Sequence, residues 1–159
     1  MVEIKAGSGN LIGAEISDAL SRRFPEGLMI RSSAPRRVYA QADREIFLEV
    51  VNYIKDELDF GHVSMVSGVD LEDRMQAVYH FTSYPNNCCL MEIVVDLDRD
   101  EPEIDSITPL YGGANYHERE TWDMLGIVFK GHPELRRIFL PEDTRFHPLR
   151  KDFESKEVP

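Results

Sequence analysis

Apolar positions along this chain recur with a helical period in three stretches and with a strand period over most of the remainder, and that alternation predicts an α+β fold. Ile12, Ile16, Ala19, Leu20 and Phe24 fall on one stripe of a helix running from Leu11 to Phe24. Arg22 and Arg23 suit the negative end of its dipole, and Pro25 stops it. A second stripe, Phe47, Val50, Val51, Ile54 and Leu58, predicts a helix with Asp43 as N-cap and Gly61 as the left-handed residue that closes it.

Short strands are expected at Gly27–Arg31 and Arg37–Gln41, turning at Ser32-Ser33-Ala34-Pro35. Three more follow, around Val63–Val69, Arg74–Ser83 and Cys88–Leu97. In the second of these, Met75, Ala77, Tyr79 and Phe81 alternate with Gln76, Val78, His80 and Thr82, the period of a strand buried on one face. The links Asp70–Asp73 and Tyr84–Asn87 are too short for crossovers, so the three should form an antiparallel meander with one face free for helices.

The acidic run from Asp96 to Asp105 reads as a solvated loop. A third helix should run from Asn115 to Leu125, with Asn115 as cap, Glu118 completing a capping box and Gly126 ending it. After a short strand at Ile127–Phe129, Pro133, Pro141 and Pro148 break any long element. The expected layout is therefore an α+β body over 1–130, with an antiparallel or mixed sheet and helices on one face. Residues 131–159 form an extended C-terminal segment of the same domain.

Composition narrows the function. A chain of 159 residues with 42% hydrophobic and 30% charged residues can bury a core without metal or disulfide staples. Its net charge of −11 disfavours nucleic acid and anionic lipid as direct partners. No apolar run approaches the roughly 20 residues that span a bilayer, and Met1–Ser8 lacks the pattern of a signal peptide. The two cysteines, Cys88 and Cys89, are adjacent, which suits buried thiols in a strand and not a zinc or iron–sulfur site. The charge is unevenly spread: residues 1–116 hold 10 Lys/Arg and 20 Asp/Glu, whereas 117–152 holds 7 of each.

That balanced segment carries the candidate chemistry. His117, Glu118 and Glu120 invite an acid–base or metal reading, but a zinc helix needs a second His one turn on, and position 121 is Thr. Arg119 and Asp123 stand four apart and should pair on the helix surface, with Trp122 and Leu125 turned to the core. His132 and His147 each precede proline, which extends the chain there; they read as surface or interface histidines. Gly112-Gly113 lacks the spacing of a nucleotide loop. Arg136, Arg137, Arg145, Arg150 and Lys151 remain, on proline-stiffened chain. They suit either an interface with a partner or the chain's own acidic body.

The residues Glu118-Arg119-Glu120, Asp123, Gly126-Ile127, Phe129, His132-Pro133 and Leu135-Arg136-Arg137, followed by His147-Pro148-Leu149-Arg150-Lys151-Asp152, resemble the signature of the 30 kDa subunit of respiratory complex I. That family extends to archaeal energy-converting complexes and membrane-bound [NiFe] hydrogenases. The resemblance implies a non-catalytic α+β subunit of the peripheral arm, at the cytoplasmic face of the membrane, with no cofactor of its own. Its implied partners are a large catalytic subunit of the 49 kDa or hydrogenase type and a small iron–sulfur subunit. Those neighbours would hold the iron–sulfur clusters and, in a hydrogenase, a NiFe centre.

By the same resemblance Glu118, Arg119, Glu120, Asp123, His132, Arg136, Arg137, His147, Arg150, Lys151 and Asp152 become candidate docking residues. Complex I members continue well past the Arg-Lys-Asp step, whereas this sequence ends at Pro159, and Leu140-Pro141-Glu142-Asp143 is similar to the hydrogenase side. Both features lean towards the hydrogenase or archaeal type. The alternatives are the 30 kDa subunit of a quinone-reducing NADH dehydrogenase and, from a different class, a free-standing enzyme built on His117, Glu118 and Glu120.

Overall fold

A computed structural model describes residues 12–84 and 87–154. In order these form α1 (Gly13–Arg23), β1 (Leu28–Ala34), β2 (Arg37–Ala42), α2 (Phe47–Asp56), β3 (His62–Asp70), β4 (Met75–Ser83), β5 (Cys89–Leu97), β6 (Glu103–Asp105), α3 (Ala114–Leu125) and β7 (Val128–Lys130). The expected start of α1 at Leu11 lies outside the described residues.

Five strands make one sheet in the order β1-β2-β5-β4-β3. The meander β3-β4-β5 is antiparallel, as its short links require, and β1-β2 is a second hairpin. The two are joined by β2 and β5 running parallel, with Val38 beside Met91 and Ala40 beside Ile93. The sheet is therefore mixed. The stretch Asp96–Asp105, expected as a loop, contains a strand: β6 pairs in parallel with β7, and α3 lies in the crossover between them. Ile104, almost fully buried between Glu103 and Asp105, is what turns that acidic stretch into a strand.

β4 and β5 alternate strictly between buried and half-buried side chains. Their buried set, including Met75, Tyr79, Phe81, Met91, Ile93 and Val95, shares one apolar core with Ile16 and Leu20 of α1 and Phe47, Val50 and Ile54 of α2. Phe47 meets Tyr79 at 4.5 Å between ring centroids. Seating α3 on β3 requires a residue without a side chain: a Cβ on Gly68 would lie 2.7 Å from Leu125 Cδ1 and 2.8 Å from Ile127 Cδ1.

Several capping expectations are corrected. Asp43 sits in a turn before α2, whose N-cap is Ile46, and α2 ends at Asp56 with the left-handed residue at Asp59 instead of Gly61. The N-cap of α3 is Gly113, so Asn115 already lies within the helix, and Glu118 turns inward instead of closing a capping box. Of the two cysteines only Cys89 is buried; Cys88 is exposed with φ 47°.

Candidate functional site

Helix α3 presents three different faces, set by helical spacing. Thr121 and Leu125 pack against β3; Glu118 faces the loop before the helix; Arg119 and Asp123 face the chain that follows β7. Residues 131–154 contain no helix or strand and run as a strap over this last face.

Asp123 organises the strap. Its side chain is fully buried, and Oδ2 accepts three successive backbone N–H groups, from Ile138 (3.0 Å), Phe139 (2.8 Å) and Leu140 (3.2 Å). Such a run of converging N–H groups is an anion-binding concavity, and here the chain's own carboxylate fills it. Asp123 Oδ1 takes a fourth bond from Arg137 at 2.6 Å. Burial would raise the Asp123 carboxyl, but the Phe139 and Ile138 N–H groups, Arg137 and the Leu140 N–H outweigh it and hold the pKa below the usual value.

Arg137 is as enclosed as its partner, with 7% of its side chain exposed. Its second amino group donates to Thr144 O at 2.7 Å and, more weakly, to Phe146 O at 3.4 Å, while the guanidinium lies 5.4 Å from the Trp122 ring centre. One planar fork thus ties the start of the strap, its middle and α3 together. Beyond it, the half-buried His147 ring donates from Nδ1 to Asp123 O at 3.0 Å, and Leu149 N–H donates to Met124 O at 3.0 Å. Gly126, with φ 80°, lies directly under that ring.

A second buried aspartate fixes the far end. Asp70, at the end of β3, pairs with Arg99 and accepts N–H groups from Lys151 (2.9 Å) and Glu72 (2.8 Å). Burial opposes ionisation here too, yet the hydrogen bond from Arg99, the two N–H groups and the Arg99 charge hold Asp70 well below the usual aspartate range. Arg150 donates to Arg99 O at 3.0 Å, and Asp152 stands 3.4 Å from Arg99.

Glu118 has a third role. Buried beneath the loop before α3, it accepts from Ser106 Oγ (2.5 Å), Ile107 N–H (2.8 Å) and Thr108 Oγ1 (2.9 Å). Burial pushes its pKa up despite these three bonds. His132 lies beside it with a fully buried side chain, Nε2 3.9 Å from Glu118 and 3.3 Å from Asn115 O. Because His132 Nδ1 accepts the Glu134 N–H, the proton sits on Nε2.

The candidate residues thus divide by exposure. Glu118, Arg119, Asp123, His132 and Arg137 are enclosed, and Arg150 has 18% of its side chain exposed. Glu120, Arg136, Lys151 and Asp152 face outward. The expected surface pair Arg119–Asp123 does not form: Asp123 is taken by Arg137, and Arg119 donates to Arg136 O and stands 3.9 Å from Glu134. The expected surface or interface position of His132 is also corrected. His117, Glu118 and Glu120 do not converge, since Glu118 points inward and Glu120 outward, and among the described residues no three His, Cys, Asp or Glu could hold a metal.

Sequence reasoning missed Asp70 and Arg99, whose role depends on contacts across the fold. It also missed the outward Phe139 (63% exposed), Phe146 (48%) and Leu149 (62%), whose signal was apolar residues on a chain too broken by proline to bury them. Phe146 stacks on Phe153 at 5.0 Å.

Residues 40–158 match the family model of the respiratory-chain NADH dehydrogenase 30 kDa subunit. The chain belongs to that family. Members similar to it include a subunit of the F420H2 dehydrogenase of Methanosarcina mazei, 43% identical over 88% of this chain and 90% of the relative. A subunit of the NADH-quinone oxidoreductase of Roseiflexus sp. is 40% identical over 89% and 84%. Among solved structures, a trypsin-resistant fragment (1–134) of Nqo5 superposes with TM-score 0.65 at 26% identity, over 76% of this chain and 98% of that one. A chain of the membrane-bound sulfane sulfur reductase, an archaeal respiratory membrane complex, gives TM-score 0.77 over 89% and 85%; at 19% identity it shows the shared fold. No helix of the described part of this 30 kDa-family chain is long and apolar enough to cross a membrane.

Proposed function

We propose that this chain is a non-catalytic structural subunit of the hydrophilic arm of a complex I-like membrane oxidoreductase, and that residues 131–154 dock it on the large catalytic subunit. The carrying observation is the strap itself. It is fastened to the body by buried aspartates at both ends, yet it leaves Phe139, Phe146 and Leu149 in solvent. Large apolar side chains fixed outward are what interface cores are made of, and exposed apolar groups with no cover are a liability in a free protein.

In this reading the redox centres, iron–sulfur clusters among them, sit in neighbouring subunits, and this chain holds their carriers in place from the cytoplasmic side of the membrane. The 43% identity to an F420H2 dehydrogenase subunit supports an archaeal-type dehydrogenase. The Leu140-Pro141-Glu142-Asp143 turn keeps the hydrogenase type as the second reading. Purification of the tagged chain from native membranes tests both. Recovery of a large catalytic subunit with an iron–sulfur subunit is expected, and oxidation of F420H2 or of hydrogen by that complex separates the two types. Recovery of the chain alone would refute the docking role.

A further inference from the structure

Arg137 and Asp123 look like docking residues in the sequence, but the side-chain bonds recorded for them run within the chain. Asp123 spends both oxygens on four bonds within the chain, and the Arg137 fork reaches Asp123, Thr144 and Phe146 with its side chain enclosed. What they do is fix the backbone on either side of the Pro141 turn. Phe139 N–H is bound to Asp123 and Phe146 O to Arg137, so the two outward phenylalanines flanking the turn are each anchored through their own backbone.

Resting on the docking reading above, we propose that Asp123 and Arg137 are positioning residues of the interface: they wrap segment 137–146 around one buried carboxylate so that Phe139 and Phe146 are presented to apolar pockets on the large catalytic subunit. The partner meets the phenyl rings; the ion pair beneath never touches it. The advantage is entropic, because a segment already held in its bound shape loses little freedom on docking. A loose strap with the same aromatic residues would bind more weakly and more slowly.

The test uses full-length chain added to membranes from which this subunit has been deleted, read as the concentration that half-saturates reassembly and as amide exchange of the free chain. Phe139→Ser with Phe146→Ser should weaken reassembly at least tenfold while leaving exchange at 138–140 unchanged. Arg137→Gln should weaken it comparably and also speed exchange at 138–140 and 144–147 more than in β4 and β5, which should remain the most protected strands. Arg137→Lys, which keeps the charge and loses the fork, should fall between, and it serves if Arg137→Gln fails to fold. If the phenylalanine pair reassembles normally, the docking reading itself fails. If that pair is impaired but Arg137→Gln or Arg137→Lys loosens the strap and still reassembles like the unaltered chain, docking stands and the positioning role is overturned.

Discussion

The imidazole of His147 lies on Gly126: a Cβ added there would come within 2.8 Å of His147 Cδ2 and 2.9 Å of Nε2. Gly126 also carries φ 80°, a conformation that costs other residues about 1 kcal/mol or more. Gly126→Ala should therefore destabilise by about 1–3 kcal/mol, through strain and displacement of the ring. Exchange of the Leu149 amide, bound to Met124 O, should accelerate more than that of any β4 amide. Uniform acceleration across the fold would show that the ring contact does not hold the strap.

Neighbouring arginines should behave differently. Arg136 is 60% exposed and pairs with exposed Glu134 at 3.0 Å, so Arg136→Ala should change the stability of the free chain by less than about 1 kcal/mol. Arg137→Ala leaves the buried Asp123 without its cation and should cost on the order of 3–5 kcal/mol, softened if the strap opens to water. Chemical denaturation of the two variants side by side checks the contrast.

Acid should release the strap ahead of the sheet. Asp70 and Asp123 have depressed values when folded, so the stability they contribute is complete above the ordinary aspartate value of about 3.9 and is lost as pH falls through the folded values. Glu118 runs the other way. Its raised value means a penalty that grows as pH climbs past the ordinary glutamate value of about 4.3, so acidification first relieves it. The only tryptophan, Trp122, beside Arg137, is the reporter. Its emission should shift below about pH 4 before the far-ultraviolet signal of the sheet is lost. Asp70→Asn should make that early change shallower; an unchanged profile would remove Asp70 from the account.

Trypsin offers a simpler view of the same surface. Arg145 is exposed on the irregular stretch between the two fastenings, whereas Arg137 is enclosed. The free chain should be cut first after Arg136 or Arg145, and both sites should be protected in the assembled complex. First cleavage after Arg137 would mean the strap is not closed over Asp123.

The alternation in β4 and β5 was legible residue by residue, because each side chain there answers to one requirement, burial on a single face. The pairing of β2 with β5 was not. Which strand β2 would join depends on β5, about fifty residues away, and nothing local encodes it. The expected Arg119–Asp123 pair failed in a similar way. Arg119 and Asp123 have the spacing of an ion pair, but Arg137 and three N–H groups, all distant in sequence, make a better offer to Asp123. Asp43 and Asn115 are good capping residues beside helices whose starts were settled by tertiary packing.

The parallel contact between β2 and β5 has a temporal meaning. The meander from β3 to β5 closes through neighbours in sequence, but the first hairpin must wait for β5 to be synthesised before it has an edge to join, and long loop closures slow folding. The bond from Lys151 to Asp70 spans 81 positions and waits longer still. A nascent chain thus completes its core before the strap over 131–154 is fastened, and partially made chains carry that segment unanchored.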